Sequence, residues 1–409
     1  YGTAAGTVFH KVFFSQTGNG TTALILSYMS FAIGYIAGPF GAIFFGHIGD
    51  RKGRKVTMYA SLLMMGISTS IIGILPPAAS AGVGVVIVLQ LMRLAQCFGR
   101  GGTWGGGILM AYENVPENKR SFYAAIPQIG LPIGFGLSSI LIAVPTLLLP
   151  EDIFFTWGWR IPFLAAIILT LIVIRQKGEM METEDYKKAQ AKLEAEEAEG
   201  KKHKVGFIPM VKGYWKTLLL GCGTRWVDGT FYNIFIVWIL SYCINWLGMP
   251  LIQTYIITII ACIFKIPFTL FGGWCAQKLG NTRTFVIGAL ASAVLSIPTL
   301  KVIELSKGNL AITIIGIVLG WSIAYNLIWA VISSLWSSYF ETEVRYSGIS
   351  FVYHVPSFLV AGMVPTICTL LINYGKGDTI YVGIYSTVVA LISAACALAL
   401  KARHDRGEK

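Results

Sequence analysis

The chain has 409 residues, of which 55% are hydrophobic and only 13% are charged, and its formal net charge at pH 7 is +12. Soluble domains carry about a quarter charged residues, so this deficit excludes an ordinary soluble protein. The basic residues concentrate in short breaks between long apolar stretches, a pattern typical of membrane insertion and not of nucleic-acid binding.

The apolar stretches predict membrane-spanning helices, each of which needs about 20 residues. Eleven are predicted, at 21–46, 56–75, 84–112, 121–147, 158–175, 213–247, 251–274, 283–303, 308–334, 347–373 and 378–401. Residues 1–14 are also apolar but cover only about 21 Å as a helix. Since the chain opens on Tyr1 and not on Met, we expect them to be the outer half of a truncated first span, which makes twelve helices.

Lys and Arg in the connections predict the orientation of the chain in the bilayer. Numbering the breaks alternately assigns most of the 32 Lys and Arg to one side, in the connections 47–55, 113–120, 175–216, 275–283, 335–346 and 401–409. The positive-inside rule then places both termini in the cytoplasm. We expect a multi-pass protein of a bacterial inner membrane.

A polar stretch at 176–211, rich in Glu, Lys and Ala, divides the spans into two sets of six. The predicted organisation is an N-terminal six-helix bundle (1–175), a cytoplasmic linker (176–211), a C-terminal six-helix bundle (212–401) and a cytoplasmic tail (402–409). Glycines in the breaks after spans 2 and 8 match at a fixed offset, as do Gln128 and His354 approximately. Two related halves are typical of transporters, whose binding site lies between the halves near the midplane.

The break after span 2 carries a specific motif, Gly46-His47-Ile48-Gly49-Asp50-Arg51-Lys52-Gly53-Arg54-Lys55. It resembles the loop 2–3 signature of the major facilitator superfamily. Further segments, including Gly101–Gly106 and Trp157–Phe163, resemble the metabolite:proton symporter family, which includes shikimate, α-ketoglutarate, citrate and proline/betaine carriers. The resemblance implies an all-α, twelve-helix fold of two six-helix bundles.

That resemblance also implies a function, namely proton-coupled symport of a small organic anion by alternating access. The expected solute is a carboxylate metabolite such as a shikimate-like or dicarboxylate-like compound. Gly38 and Thr103 stand where the family usually has Arg and Glu. These departures leave open an uncoupled facilitator or a transporter-like sensor, and a compatible-solute (proline/betaine) symporter is a further alternative.

Four charged residues near the motif form a predicted conformational latch, namely Asp50, Arg51, Arg54 and Glu113. The resemblance implies that Asp50 docks on the N-terminus of span 11, where a helix dipole favours a carboxylate. Glu113 would hold Arg54 in a charge relay. The alternative interpretation is that all are ordinary interfacial charges.

Span 7 carries Arg225 and Asp228, three residues apart and therefore on one helical face near the midplane. Intramembrane charges are costly and indicate function. We predict that Asp228 is the proton-coupling carboxylate and that Arg225 contacts substrate, since an anion that engages the guanidinium would free the acid to take a proton. The alternative is a permanent intrahelical ion pair in which each residue only compensates the charge of the other.

Three more cations lie within or near spans: Arg93, Arg100 and Lys265. Arg93 precedes Gln96 in a motif that the resemblance associates with coupling. The excess of cations over deep acids favours an anionic substrate. Alternatively, Arg93 and Lys265 extend to the membrane interfaces.

Polar and aromatic residues complete the predicted substrate cavity, with Arg100 and Arg225: Trp104, Gln128, Tyr232, Asn233, Tyr325, Asn326, Trp329, Tyr353 and His354. For His354 we expect a hydrogen-bonded neutral imidazole. We find no nucleophile–base set, phosphate loop or metal-like Cys spacing in the sequence, and therefore expect no enzyme activity, metal or cofactor. The expected partners are the anion, protons and lipid, and the expected state is a monomer.

Overall fold

The computed structural model describes residues 2–17, 19–52, 54–103, 111–112, 115–116, 119–175, 207–341 and 344–408. In these residues the regular structure is helical, and we number twelve helices. The N-terminal six are α1 (Gly2–Ala4, Ala5–Phe9 and His10–Val12), α2 (Gly20–Gly34 and Ala37–Lys52), α3 (Arg54–Ile74), α4 (Val83–Arg100), α5 (Arg120–Ala125, Pro127–Ile129 and Gly130–Leu148) and α6 (Gly158–Arg160 and Ile161–Arg175). The C-terminal six are α7 (Phe207–Asn233, Ile234–Trp238 and Ile239–Asn245), α8 (Leu251–Leu279), α9 (Asn281–Leu305), α10 (Leu310–Ile317, Val318–Ala324 and Asn326–Tyr339), α11 (Arg345–His354, Phe358–Gly362 and Val364–Tyr374) and α12 (Ile380–Asp405).

Ten helical stretches of the described chain are long and apolar enough to span a membrane, so the chain is a multi-pass membrane protein. Their burial differs sharply. In α7, 89% of an apolar 18-residue stretch is buried inside the protein, whereas in α6 only 17% of such a stretch is buried. The helix that carries Arg225 and Asp228 is therefore at the centre of the bundle, while α6 presents most of its apolar surface outward, where lipid is the solvent.

Local signals explain where the helices begin and end. The Asn19 side chain accepts a hydrogen bond from the Thr21 N–H at 2.9 Å and caps the start of α2. Asn309 accepts from two backbone N–H groups at the start of α10 in the same way. At the end of α8, Gly280 adopts a φ of 88°, a left-handed conformation that suits glycine and turns the chain into α9.

Two polar anchors hold helix ends together. The Arg160 guanidinium at the start of α6 donates to the carbonyl oxygens of Gly73 (3.0 Å) and Leu75 (2.6 Å), at the C-terminal end of α3. Lys301 of α9 donates to Glu304 (3.0 Å) and to Asp378 (2.7 Å), which lies in the turn between α11 and α12. The hydrogen bond from Lys301 holds the pKa of Asp378 below its ordinary value, so this anchor persists at neutral pH.

The two halves meet through α1 and α7, α2 and α11, and α5 with α8 and α10. The C-terminal ends of α2, α8 and α10 lie at one end of the bundle, which we call the basic end. The other end of the bundle is called the opposite end. Four π-helical segments, in α1, α7, α10 and α11, belong to helices that line this meeting surface: Ala5–Phe9, Ile234–Trp238, Val318–Ala324 and Phe358–Gly362. Such segments are frequent at functional sites.

Candidate functional site

Arg225 and Asp228 form an ion pair in the interior, with only 4% and 1% of their surface exposed. The Arg225 Nη1 donates to one carboxylate oxygen of Asp228, and the Tyr325 hydroxyl of α10 donates to the other. Both oxygens therefore have a donor, as a buried carboxylate requires. The predicted shared face of α7 is confirmed, while the role of the pair in coupling stays a prediction.

The rest of the Arg225 guanidinium remains available. Its Cζ lies 4.4 Å from the centre of the Tyr353 ring of α11, and its Nε is buried and has no hydrogen-bond partner within the described ranges. The neighbouring His354 is 1% exposed, and neither of its ring nitrogens has a hydrogen-bond partner among the described residues. The expected hydrogen-bonded imidazole stays a prediction. A Cβ added to Gly38 of α2 would lie 3.1 Å from the His354 Nδ1, so the ring fills the space beside this glycine.

Lys265 of α8 is completely buried, so the alternative that it extends to an interface does not hold in this structure. Its ammonium lies 4.4 Å from the ring centres of both Trp321 and Tyr325. The predicted cavity residue Asn326 donates from Nδ2 to the Lys265 carbonyl oxygen at 2.8 Å and accepts from Thr269 at 3.1 Å. Because both amide groups are engaged, Asn326 holds α8 against α10.

The two arginines of α4 face α2. Arg93 is 5% exposed, donates to Gln96 at 2.6 Å and lies 5.1 Å from the Phe31 ring, so it is also not extended to an interface. Arg100 lies 4.6 Å from the Tyr35 ring, and its Nε and Nη2 are buried without hydrogen-bond partners in the part of the chain that the structure describes. Arg100 is close enough to interact electrostatically with Tyr353 and His354. We call the central cluster the group Arg100, Arg225, Asp228, Lys265, Tyr325, Tyr353 and His354.

Gln128 and Trp329 connect the two halves. The Gln128 side chain donates to the Trp329 carbonyl oxygen at 3.4 Å, and the Trp329 indole N–H donates to the Gln128 carbonyl oxygen at 3.1 Å. Tyr232 packs against the Phe135 ring of α5 with ring centres 5.5 Å apart. The Asn233 side chain donates to the carbonyl oxygen of Gly229 in its own helix at 2.7 Å.

The central cluster is closed toward the opposite end. The Tyr28 hydroxyl of α2 hydrogen-bonds to the Ser241 hydroxyl of α7 at 2.7 Å. Thr7 of α1 and Tyr255 of α8 share a hydrogen bond of 3.0 Å. A Cβ added to Gly6 of α1 would lie 3.1 Å from the Val237 carbonyl oxygen of α7, so the halves are in direct contact here.

Toward the basic end the halves also touch. A Cβ added to Gly273 of α8 would lie 2.7 Å from the Ala125 Cβ of α5. The Ser333 hydroxyl of α10 donates to the Ala124 carbonyl oxygen at 3.5 Å. Since the halves are in contact on both sides of the charges, the described structure is an occluded arrangement.

Several predicted site residues cannot be placed. Trp104 and Glu113 lie outside the described residues. Asp50, Arg51 and Arg54 lie in α2 and α3, but their side chains are outside the described part of the chain. The latch therefore stays a prediction.

Sequence reasoning missed three residues that shape the cluster: Trp321 beside Lys265, Tyr35 beside Arg100, and Ser393 of α12. The Ser393 hydroxyl accepts from the Val227 N–H at 3.0 Å and donates to the Gly223 carbonyl oxygen at 2.7 Å. The Val227 N–H and the Gly223 carbonyl oxygen are the two partners of one helical hydrogen bond of α7, in the turn that carries Arg225, and the Ser393 hydroxyl lies between them. Insertion of a side chain into this ladder is a known cause of helix bending.

Comparisons with known proteins agree with this architecture. The profile of the Major Facilitator Superfamily matches residues 7–365. The inner membrane metabolite transport protein YhjE of Escherichia coli (strain K12) is 34% identical over 412 residues, covering 99% of this chain and 90% of that protein. The shikimate transporter of the same strain is 31% identical, covering 98% and 90%. A solved structure of the xylose transporter XylE from E. coli, in a partially occluded inward-open conformation, has a TM-score of 0.72 at 15% identity, covers 97% of this chain and 92% of that chain, and is similar in fold.

Proposed function

The chain belongs to the Major Facilitator Superfamily, and we propose that it is a secondary active transporter that carries a small organic anion together with protons across a bacterial inner membrane. The predicted all-α, twelve-helix fold is confirmed by the family match and by the likeness to a solved transporter of that fold. The family and the relatives are those of transporters and not of enzymes.

The observation that carries the proposal is the excess of positive charge in the occluded interior. Arg225 and Lys265 are buried there, Arg100 lies near Tyr353 and His354, and Asp228 is the one acid placed among them in the described residues. Buried cations are stable only when anions and hydrogen bonds compensate them. Since one carboxylate compensates one cation, the remaining charge favours a negatively charged solute, and the relative that is named a shikimate transporter supports a carboxylate.

Proton coupling follows from competition for Arg225. In the described state Arg225 stabilises the charged form of Asp228. A substrate carboxylate that binds the Arg225 guanidinium removes this stabilisation, so protonation of Asp228 becomes more favourable. Substrate and proton then enter the interior together before the halves rearrange.

Alternating access accounts for the contacts on both sides of the cluster. The moving units in this proposal are residues 1–175 and 212–401, joined by the linker 176–211 and followed by the tail 402–409. The positive-inside rule orients the basic end and both termini toward the cytoplasm. The latch of Asp50, Arg51, Arg54 and Glu113 would then act at the cytoplasmic side.

An uncoupled facilitator is the second candidate function. It is favoured by Gly38 and Thr103, which are uncharged where the resemblance implies an ion pair. Gly38 lies beside the His354 ring, so α2 contributes no positive charge at this position.

Uptake into proteoliposomes tests the proposal. A panel of mono- and dicarboxylates, with proline and betaine as zwitterionic comparisons, is supplied with and without an inward proton gradient. We expect a carboxylate to accumulate about tenfold per pH unit for each coupled proton. Equilibration without accumulation would support the facilitator, and uptake restricted to proline or betaine would overturn the anion assignment.

Two glycine substitutions are expected to separate binding from transport. Valine at Gly6 or at Gly273 would place methyl groups between the halves, at the opposite end and the basic end respectively. Each variant should retain solute binding, measured as thermal stabilisation in detergent, and lose uptake several-fold, because its end cannot close.

The matched controls are Gly20→Val and Gly134→Val, at glycines where an added Cβ meets nothing within 4 Å. These should transport at the wild-type rate. Wild-type uptake by Gly6→Val and Gly273→Val would contradict the assignment of these contacts as the closing surfaces.

A further inference from the structure

Lys265 has a buried ammonium that nothing in the described chain compensates. Its exposed fraction is 0%, and its Nζ has no hydrogen-bond partner among the described residues. It takes no part in the Arg225–Asp228 pair. An enclosed ammonium without acceptors is unfavourable, so an anionic group that enters beside Lys265 would stabilise its charged form.

The surroundings of the ammonium form a built site. The rings of Trp321 and Tyr325 approach the Nζ equally, at 4.4 Å from each ring centre. Contacts with aromatic faces stabilise a cation but leave its hydrogen-bonding protons unused. The two rings therefore hold the ammonium in place without replacing a carboxylate.

The backbone around Lys265 is fixed by hydrogen bonds between α8 and α10. The Lys265 carbonyl oxygen accepts from Asn326 at 2.8 Å and from Thr269 at 2.9 Å. One turn earlier, the Ala261 carbonyl oxygen accepts from the Ser322 hydroxyl at 2.8 Å. Because both turns of α8 are tied to α10, the side chain leaves the helix in a defined direction, toward the two rings.

Tyr325 connects this site to the ion pair. The face of its ring contacts Lys265, while its hydroxyl donates to Asp228, which pairs with Arg225. Two cations with unused donors thus lie near one tyrosine side chain, and Asp228 separates them. Lys265 lies against the Tyr325 ring, and Arg225 pairs with the carboxylate at the Tyr325 hydroxyl, so a solute with two carboxylates could engage each cation separately.

We propose that Lys265, held between Trp321 and Tyr325, is a second anion subsite, and that the transported solute is a dianion such as a small dicarboxylate. One carboxylate would bind at Arg100 and Arg225, and the other at Lys265. This inference rests on the proposed function and narrows it, since it distinguishes dicarboxylates from monocarboxylates. A dianion and the ionised Asp228 carboxylate would together compensate the three cations Arg100, Arg225 and Lys265, and protonation of Asp228 would leave one positive charge.

The test compares Lys265→Met with the wild type. Methionine keeps an unbranched apolar chain between the rings and removes only the charge. Binding to the purified full chain is measured by isothermal titration and thermal shift with malonate, succinate and glutarate, each against the monocarboxylate of the same length (propanoate, butanoate and pentanoate). Lys265→Arg, which keeps the charge, and Lys212→Met, at an exposed lysine, serve as controls.

We expect the wild type to bind at least one dicarboxylate more tightly than the monocarboxylate of the same length. In Lys265→Met the ratio of the two dissociation constants should fall about tenfold, which corresponds to the loss of one charged hydrogen bond. Lys265→Arg should keep the preference, and Lys212→Met should bind both classes of probe as the wild type does.

A preference that survives Lys265→Met, or an equal loss for both classes of probe, would overturn the subsite and leave the anion transporter standing. If the wild type binds and transports no carboxylate while it transports betaine or proline, the proposed function fails and the subsite fails with it.

Discussion

Asp228→Asn is expected to abolish proton-driven accumulation of substrate while exchange of substrate across the membrane continues. Asparagine has the shape of the protonated acid and still offers an acceptor to Tyr325, whose hydroxyl donates to Asp228 in the described state. It cannot exchange a proton. In proteoliposomes with a gradient of one pH unit, wild-type accumulation should approach about tenfold per coupled proton, and the variant should only equilibrate.

Counterflow provides the readout that separates this result from misfolding. Asp228→Asn should exchange labelled for unlabelled substrate, which requires binding and alternating access but no net proton movement. Asp152→Asn, at an exposed acid between α5 and α6, is the matched control and should keep full accumulation. Accumulation by Asp228→Asn with an unchanged dependence on pH would exclude this acid as the coupling site.

The parts of the site that sequence predicts well are the local ones. Arg225 and Asp228 share one helix, and a spacing of three residues places them on one face whatever the rest of the fold does. The spans are similarly local, because length and apolarity decide membrane insertion one helix at a time. This is why the predicted boundaries differ little from the observed helices, for example 283–303 against Asn281–Leu305.

The environment of Lys265 depends on two helices, and sequence periodicity cannot determine it. Trp321 lies within the π-helical segment Val318–Ala324, where the wider turn changes the direction of every following side chain relative to an α-helix. The face that α10 turns toward α8 is therefore not given by a period of 3.6 residues. Without it, Lys265 appears as one more cation near a span end.

Ser393 was overlooked for a different reason. A serine in an apolar helix ordinarily satisfies its hydroxyl on a carbonyl of its own helix, and it therefore carries little information. Here the hydroxyl bonds to the backbone of α7 instead. Only the packing of α12 against α7 reveals that contact.

Arg225→Gln should be among the most damaging single substitutions in the protein. It leaves the Asp228 carboxylate buried without its ion-pair partner, and breaking a buried pair from one side costs about 3–5 kcal/mol. We expect a marked loss of thermal stability in detergent, together with loss of substrate binding. Arg160→Gln removes a buried arginine that only anchors the end of α3, so the folded fraction of that control should bind substrate normally.

The double variant Arg225→Gln/Asp228→Asn decides between a transport role and a purely structural one. It removes both charges, so the stability lost in Arg225→Gln should largely return, since a neutral buried pair needs no counter-charge. If the pair served only to satisfy itself, transport would return with stability. If Arg225 binds the substrate anion and Asp228 carries the proton, the double variant should be stable and still fail both to bind the anion and to respond to a proton gradient. A stable double variant that transports like the wild type would contradict both assignments, because neither charge would then be required for function.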